Sequence, residues 1–277
     1  KRPPGEMQLK LGSDPQTVPP VRIPEGRATL GMASGKGTFG WDNEFPSLVV
    51  EVPEFSIDIY NVTNSDFLEF VEEGGYGNEI HWSPEAWRWR SEAQLNHPQF
   101  WIRRENQWYW RGMFQEVPLP LAWPVYVSHA EASAYAKWRG RRLPSEAEFH
   151  RAAYGTPSGT ERPFPWGDEE PDVTRGNFDF QQWDPTPVGA YPAGQSAWGV
   201  HDLLGNGWEW TSTVFNGFPG FQPMFLYPEY SADFFDGHHY VIKGGSPATA
   251  RELLRRSFRN WFRPHYPHVY ATFRCAD

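Results

Sequence analysis

The chain has 277 residues, enough for one large domain with a sizeable core, and holds 15 Trp, 20 Phe and 12 Tyr beside 26 Gly and 27 Pro. Its net charge of -9, with the basic residues scattered, excludes the basic stripe of a nucleic-acid binder, and no apolar run is long enough for a membrane helix. The one cysteine, Cys275, excludes a disulfide scaffold and fits a reducing, cytoplasmic setting.

Glycine and proline at this density interrupt regular elements often, while the aromatics supply burial that long helices or sheets would otherwise provide. A single loop-rich α+β domain is expected. The chain opens on Lys1 and is Pro-rich and polar to about Pro24. Residues 1–22 therefore read as a linker or N-terminal arm of a fragment, a trimmed chain or a processed one, and residues 23–277 as the folded domain.

Three short helices are predicted. The first is capped by Thr63 or Asn64, turns Phe67, Phe70 and Val71 inward, and stops at Gly74-Gly75. The second starts at Ser128, where Glu131 completes a capping box, buries Ala132, Tyr135 and Ala136, and ends at Gly140. The third repeats that box with Ser145 and Glu148, buries Phe149, Ala152 and Ala153, and stops at Gly155. A Trp-rich stretch lies between the first two, from Trp82 to Trp123. In it Gln107-Trp108-Tyr109-Trp110-Arg111 alternates like a strand. Beyond Gly155 no helix is predicted, and Tyr240 to Lys243 and Tyr270 to Arg274 read as short strands.

The string RLPSEAEFHRAA from Arg142 to Ala153 resembles the helix signature of the formylglycine-generating-enzyme superfamily. So do PWG at Pro165, GNGWEWTST at Gly205, KGGS at Lys243 and FRNWFRPHYPHVYATFR from Phe258 to Arg274. The earlier pieces IPEG at Ile23, LGM at Leu30, DNEFP at Asp42 and VTNSDFLEFVEEGGY at Val62 follow the same order. The resemblance implies a variant of the C-type-lectin fold with few helices and strands. Copper-dependent members use a pair of cysteines near the C-terminus, since thiolates select Cu(I). With Cys275 alone, that copper-oxidase reading fails on ligand count.

DNEFP, GGY and the FRNWF-P-YP ending instead resemble the C-terminal domain of ergothioneine-type sulfoxide synthases, whose relatives make ovothiol and selenoneine. That resemblance implies an Fe(II)- and O2-dependent reaction joining a thiol to the imidazole of hercynine. It also implies that a DinB-like partner domain supplies three iron-binding histidines. Of the nine histidines here, no two are four apart, and His265 and His268 lie among prolines. No iron site is expected from this chain alone.

In the formylglycine-generating enzymes the counterparts of Asn206 and Glu209 help hold calcium, as hard oxygen ligands would. The other reading of these two, with Asn177 beside them, is a buried hydrogen-bond network without metal. Trp208 is a candidate to stack on a substrate ring, or core. Arg259 and Asn260, with Arg256, lead into the last motif and either grip a substrate carboxylate or pin loops. Trp261 follows. Synthases that take γ-glutamylcysteine resemble one another in an Asp directly after this Trp and an Arg four residues later. Here Phe262 and Tyr266 stand there, which implies a smaller thiol (cysteine) or a related selenium donor. The catalytic Tyr of mycobacterial-type members aligns nearest to Phe218, which has no hydroxyl. The alternative function is a non-catalytic C-type-lectin-like binding module, since fold does not fix function.

Overall fold

The computed structural model describes residues 18–35 and 39–277. Residues 1–17 of the expected arm lie outside the described residues. Strand β1 (Val21–Ile23) begins just before the expected domain boundary and pairs antiparallel with β4 (Phe55–Ile57). Between them β2 (Gly26–Leu30) pairs antiparallel with β3 (Leu48–Val52).

The first helix, α1 (Asn64–Glu72), is capped by Thr63, whose hydroxyl accepts from the Asp66 amide. Asp66 returns the bond to the Thr63 amide, so two otherwise unpaired donors are satisfied. Gly74, at φ 79°, closes the helix as expected. The Trp-rich stretch opens with a helix that was not among the three predicted, α2 (Pro84–Glu92), which Ser83 caps and Pro84 opens. The Ser83-Pro84 start signal was present in the sequence. Past it, β5 (Trp101–Arg104), β6 (Gln107–Arg111) and β7 (Glu116–Pro118) form an antiparallel three-stranded sheet. Helices α3 (His129–Trp138) and α4 (Glu146–Tyr154) carry both expected capping boxes. Gly140 takes the left-handed conformation, whereas Gly155 is extended at φ -68°. Gly155 is needed for closeness rather than handedness: a Cβ there would stand 2.7 Å from the Arg151 carbonyl oxygen.

The C-terminal half builds one mixed sheet. Strand β8 (Gly207–Val214) lies at its centre, antiparallel to β9 (Tyr240–Gly245) and parallel to β11 (Ala271–Thr272). The edge strand β10 (Asn260–Phe262) adds antiparallel to β9, with Trp261 opposite Val241. A one-turn helix, α5 (Glu229–Ala232), escaped the sequence reading. So did β8, because Gly207 to Thr211 are buried in succession and both faces are covered. Period-two alternation disappears in such a strand. Gly207 is required there, since a Cβ would meet Thr272 Cγ2 at 2.9 Å.

The largest core cluster wraps α1 and α3 with aromatics. Phe67 stacks on Tyr135 at 5.3 Å and meets Phe70, Trp101 and Phe273 edge-on. Each such burial contributes roughly 1.5–3 kcal/mol, and favourable ring geometry adds about 0.5–1.5 kcal/mol. A second cluster joins Ile23, Ala28 and Ile57 to Phe149, Ala152 and Ala153 of α4. Helix α4 packs on β2, β3, β8 and β9, so it ties the first sheets to the last. Among the described residues no helix is long and apolar enough to cross a membrane.

Candidate functional site

The segment before β10 is fixed from behind by buried charge. Lys243 on β9 is 2 % exposed, and its ammonium donates to the carbonyls of Arg256 at 3.1 Å and Phe258 at 2.6 Å. Burial lowers its pKa to about 8 against the pull of Glu146, 3.7 Å away. Arg259 is 3 % exposed and donates through Nε to Glu146 Oε1 at 2.8 Å. Its Nη1 donates to the carbonyls of Asn43 and Asn216. Glu44, fully buried, accepts from Ser257 Oγ at 2.6 Å and forms an ion pair with Arg255. Residues 255, 257 and 259 are thus held by the side chains of Glu44 and Glu146 and by the backbone carbonyls of Asn43 and Asn216.

Of the two readings of Arg259, these contacts match the one that pins loops: its Nε and Nη1 donate to protein oxygens and the side chain is buried. Phe218 sits beneath it, with the guanidinium 4.2 Å from the ring centroid, and so belongs to the same anchor.

In front of β10 the surface opens. A cleft of about 480 Å³ gathers Trp208, Thr249, Phe258, Asn260, Phe262 and Tyr266. A neighbouring cleft of about 310 Å³ shares Asn260, Phe262 and Tyr266 and adds Phe234, His239, Trp261 and Arg263. The rings of Phe262 and Tyr266 stack at 5.1 Å with 6° between planes and divide the two clefts. Trp261 stacks on Phe215 at 4.1 Å, so one of its faces is spent on the core. Of the candidates from the sequence, Asn260, Phe262 and Tyr266 line both clefts, Trp261 the smaller and Trp208 the larger, and Trp208 is also buried in the largest core cluster. Sequence reasoning missed His239, Arg263 and Phe234. The Asp236-Gly237-His238-His239 turn was the available signal.

Asn206 and Glu209 lie elsewhere and do not converge. The Asn206 amide oxygen accepts from Thr186 N at 2.8 Å and Oγ1 at 3.1 Å, and its nitrogen donates to the Thr186 carbonyl. Both oxygens of Glu209 accept from Arg274, at 2.7 and 2.6 Å. A cation there would face a fully buried guanidinium. These side chains do not fit a calcium site, and they behave as the hydrogen-bond network that was the other reading. The Asn177 amide nitrogen donates to the Asp184 carbonyl, while its amide oxygen is buried without a hydrogen-bond partner among the described residues.

The histidines are dispersed. Burial pushes His129 down to about 3, and its ring stacks on Tyr240 at 3.8 Å. His150 is buried beside Glu161, His265 stacks on Trp89, and His268 meets Tyr266 edge-on. Among the described residues no three His, Cys, Asp or Glu side chains group as a metal site. Cys275 is buried and its thiol pKa is raised by that burial.

The family described as sulfatase-modifying factor enzyme 1-like domain matches residues 9–277. Hercynine oxygenase of Mycobacterium tuberculosis is 42% identical over 249 residues, 89% of this chain and 58% of that protein. Ergothioneine biosynthesis protein 1 of Schizosaccharomyces pombe is 33% identical over 240 residues, 85% of this chain and 27% of that protein. The chain therefore spans a little over half the length of its mycobacterial relative, and less of the yeast one. Among solved structures, PvdO from Pseudomonas aeruginosa superposes with a TM-score of 0.61 at 22% identity, covering 97% of this chain and 96% of that one. That likeness speaks for the fold. With a helix-capped, loop-rich α+β fold and a family match across nearly its whole length, this chain belongs to the sulfatase-modifying factor enzyme 1-like family.

Proposed function

We propose that the chain is the substrate-orienting domain of an Fe(II)- and O2-dependent sulfoxide synthase acting in ergothioneine-type biosynthesis. In that reaction a thiol, cysteine by preference, is joined to the imidazole of hercynine. The thiol S–H and one imidazole C–H are replaced by a C–S bond, and the sulfur gains one oxygen atom. O2 accepts four electrons, and its second oxygen leaves as water with the two displaced protons. Iron held by a DinB-like partner domain supplies the O2 chemistry.

The observation that supports this most is the shared opening at β10, in a chain 42% identical to a hercynine oxygenase. Its walls are aromatic and its back is rigidly pinned. Aromatic faces suit a trimethylammonium group through cation–π attraction, worth about 0.5–2 kcal/mol. The anchored segment 255–259 fixes where Asn260 and Phe262 project, and rate is gained from such positioning. Phe262 and Tyr266 present no charged side chain for the glutamyl part of γ-glutamylcysteine, which favours the smaller donor. A single buried thiol suits a reducing, cytoplasmic setting.

The test is reconstitution. The chain is incubated with hercynine, cysteine, Fe(II) and O2, alone and then with the iron-binding domain present. Sulfoxide formed only with both parts is the expected result. Turnover by the chain alone would put the iron in the wrong domain, and no turnover with both would favour a ligand-binding module without catalysis.

A further inference from the structure

A polar cleft of about 110 Å³ lies away from β10 and shares no lining residue with the two clefts there. Its walls are the run from Asp58 to Thr63, Asp66 of α1, Tyr135 of α3, and Arg139 and Arg141 just past that helix. The run is held by its backbone: the Asp58 amide donates to the Cys275 carbonyl at 3.0 Å and the Val62 amide to the Phe273 carbonyl at 2.9 Å. Asp58 and Arg141 are spent on each other and on the chain end. One Asp58 oxygen pairs with Arg141, the other accepts from the Cys275 amide, and Arg141 also donates to Asp277.

The remaining polar groups are not spent. Asn61 is 3 % exposed, and its Nδ2 is buried without a hydrogen-bond partner among the described residues. A donor left in that state costs about 1–3 kcal/mol, so it calls for a partner from outside the chain. The Tyr135 ring is packed on Phe67, Trp138 and Phe273, while its hydroxyl makes no hydrogen bond to another described residue and lies in the field of Asp66, Arg139 and Asp58. Asp66 uses Oδ2 for the Thr63 amide and hydroxyl, at 2.9 and 2.6 Å, which leaves Oδ1. Arg139 comes no nearer to an acid than 3.9 Å from Glu69, beyond hydrogen-bond reach. The charged walls, two Asp and two Arg, cancel. With one acid and one base each holding unused capacity, the cleft matches a ligand that carries both charges better than a lone anion or a lone cation.

We propose that this cleft is a binding subsite for a small zwitterion of the α-amino-acid class. Arg139 and Asn61 Nδ2 take the carboxylate, the first through its planar fork, and Asp66 Oδ1 takes the ammonium. The Tyr135 hydroxyl donates to the same carboxylate. The volume admits a small side chain and turns away an aromatic one. The subsite is independent of the sulfoxide-synthase reading.

The test follows the Asn61 side-chain amide resonances and the unfolding midpoint of the 277-residue chain during titration with glycine. Saturable shifts of the Asn61 pair and a rising midpoint are expected. Acetate and methylamine, each with one of the two charges, bind at least about tenfold more weakly. Arg139→Gln, at an exposed position, weakens glycine roughly 10–100-fold, the loss of a charge-assisted contact. Tyr135→Phe keeps the packed ring and weakens glycine by about 2–10-fold. Asn61 resonances that glycine leaves unmoved, with water alone against Asn61 in a crystal grown in glycine, would overturn the subsite. So would acetate or methylamine binding as tightly as glycine, or an affinity that Arg139→Gln leaves unchanged in a folded chain.

Discussion

The two sides of β10 distribute charge in opposite ways. Behind it Glu44, Glu146, Lys243 and Arg259 are all at most 3 % exposed, and they are joined in ion pairs and hydrogen bonds. In front, the cleft walls are mainly rings, and Tyr266 is 42 % exposed. Ordinary surfaces place charge outside and aromatics inside. The inversion teaches that charge here is structural: each buried ion holds a loop carbonyl or another ion, and that geometry aims the exposed rings. Buried ions do not by themselves add much stability over apolar packing, but losing one partner is costly. The rear network should therefore respond to mutation as stability and the front as ligand selection.

The largest effect should come from the pair that closes the sheet, Arg274 and Glu209. Arg274 is fully buried, donates twice to Glu209, and also binds the carbonyls of Asp58, Ile59 and His201. Arg274→Ala leaves Glu209 unpaired and three carbonyls short of a donor. A loss of about 3–5 kcal/mol is expected in denaturant unfolding. Adding calcium should not restore it, and a calcium-dependent rescue would reopen the metal reading of Asn206 and Glu209.

Next comes a pH effect in the same buried region. Asp202 accepts from the Gly189 amide at 2.6 Å, yet burial raises its pKa to about 6. Its folded value lies above the unfolded one, so between about 4 and 6 the folded state binds more protons than the unfolded state. The stabilisation is full below about 4 and is lost as pH rises through 6, by at most roughly 3 kcal/mol. Asp202→Asn should flatten this part of the stability–pH curve. A wild-type curve already flat between pH 4 and 6 would show that Asp202 is not held in this way.

Much of this front-and-back arrangement was legible in the sequence, and the rest was hidden for identifiable reasons. Capping boxes are local, so Ser128–Glu131 and Ser145–Glu148 gave their helices directly. Alternation is local too, and Gln107–Arg111 is the strand it suggested. Strand β8 was obscured because it is buried on both faces. The role of Arg259 could not be read from its neighbours, since its partners Asn43, Glu146 and Asn216 are far away in the chain. His239 and Arg263 were passed over for the same reason: only the pairing of β9 with β10 brings them to one cleft. Pairs distant in sequence are set by topology, which composition and periodicity do not encode.

A third prediction moves the front from one ligand to another. With cysteine preferred in the wild type, Phe262→Asp together with Tyr266→Arg should shift kcat/KM toward γ-glutamylcysteine by about tenfold, near 1.4 kcal/mol. The added pair can bind both charged ends of the glutamyl part. Phe262 is only half-buried, so the double variant should stay folded, which unfolding curves would check. A wild-type enzyme preferring γ-glutamylcysteine would sink the donor assignment.

The smallest stability change should come from Tyr266→Ala, and this variant separates front from back most cleanly. Tyr266 stacks on Phe262 and meets His268 edge-on, but much of its ring faces solvent, and no hydrogen bond from its hydroxyl to another described residue is present. Removing it uncovers one face of Phe262 without leaving a buried polar group unpaired, so unfolding should shift by no more than about 0.5–1 kcal/mol. The two clefts would, however, merge, because the stacked pair is what divides them. KM for the thiol should rise while the unfolding midpoint stays close to the wild type. If Tyr266→Ala instead destabilised the chain as strongly as Arg274→Ala, the front rings would be part of the same structural unit as the ions behind them. The division of labour across β10 would then be wrong. Unchanged stability together with unchanged KM would place the thiol elsewhere and leave Tyr266 as an ordinary surface ring.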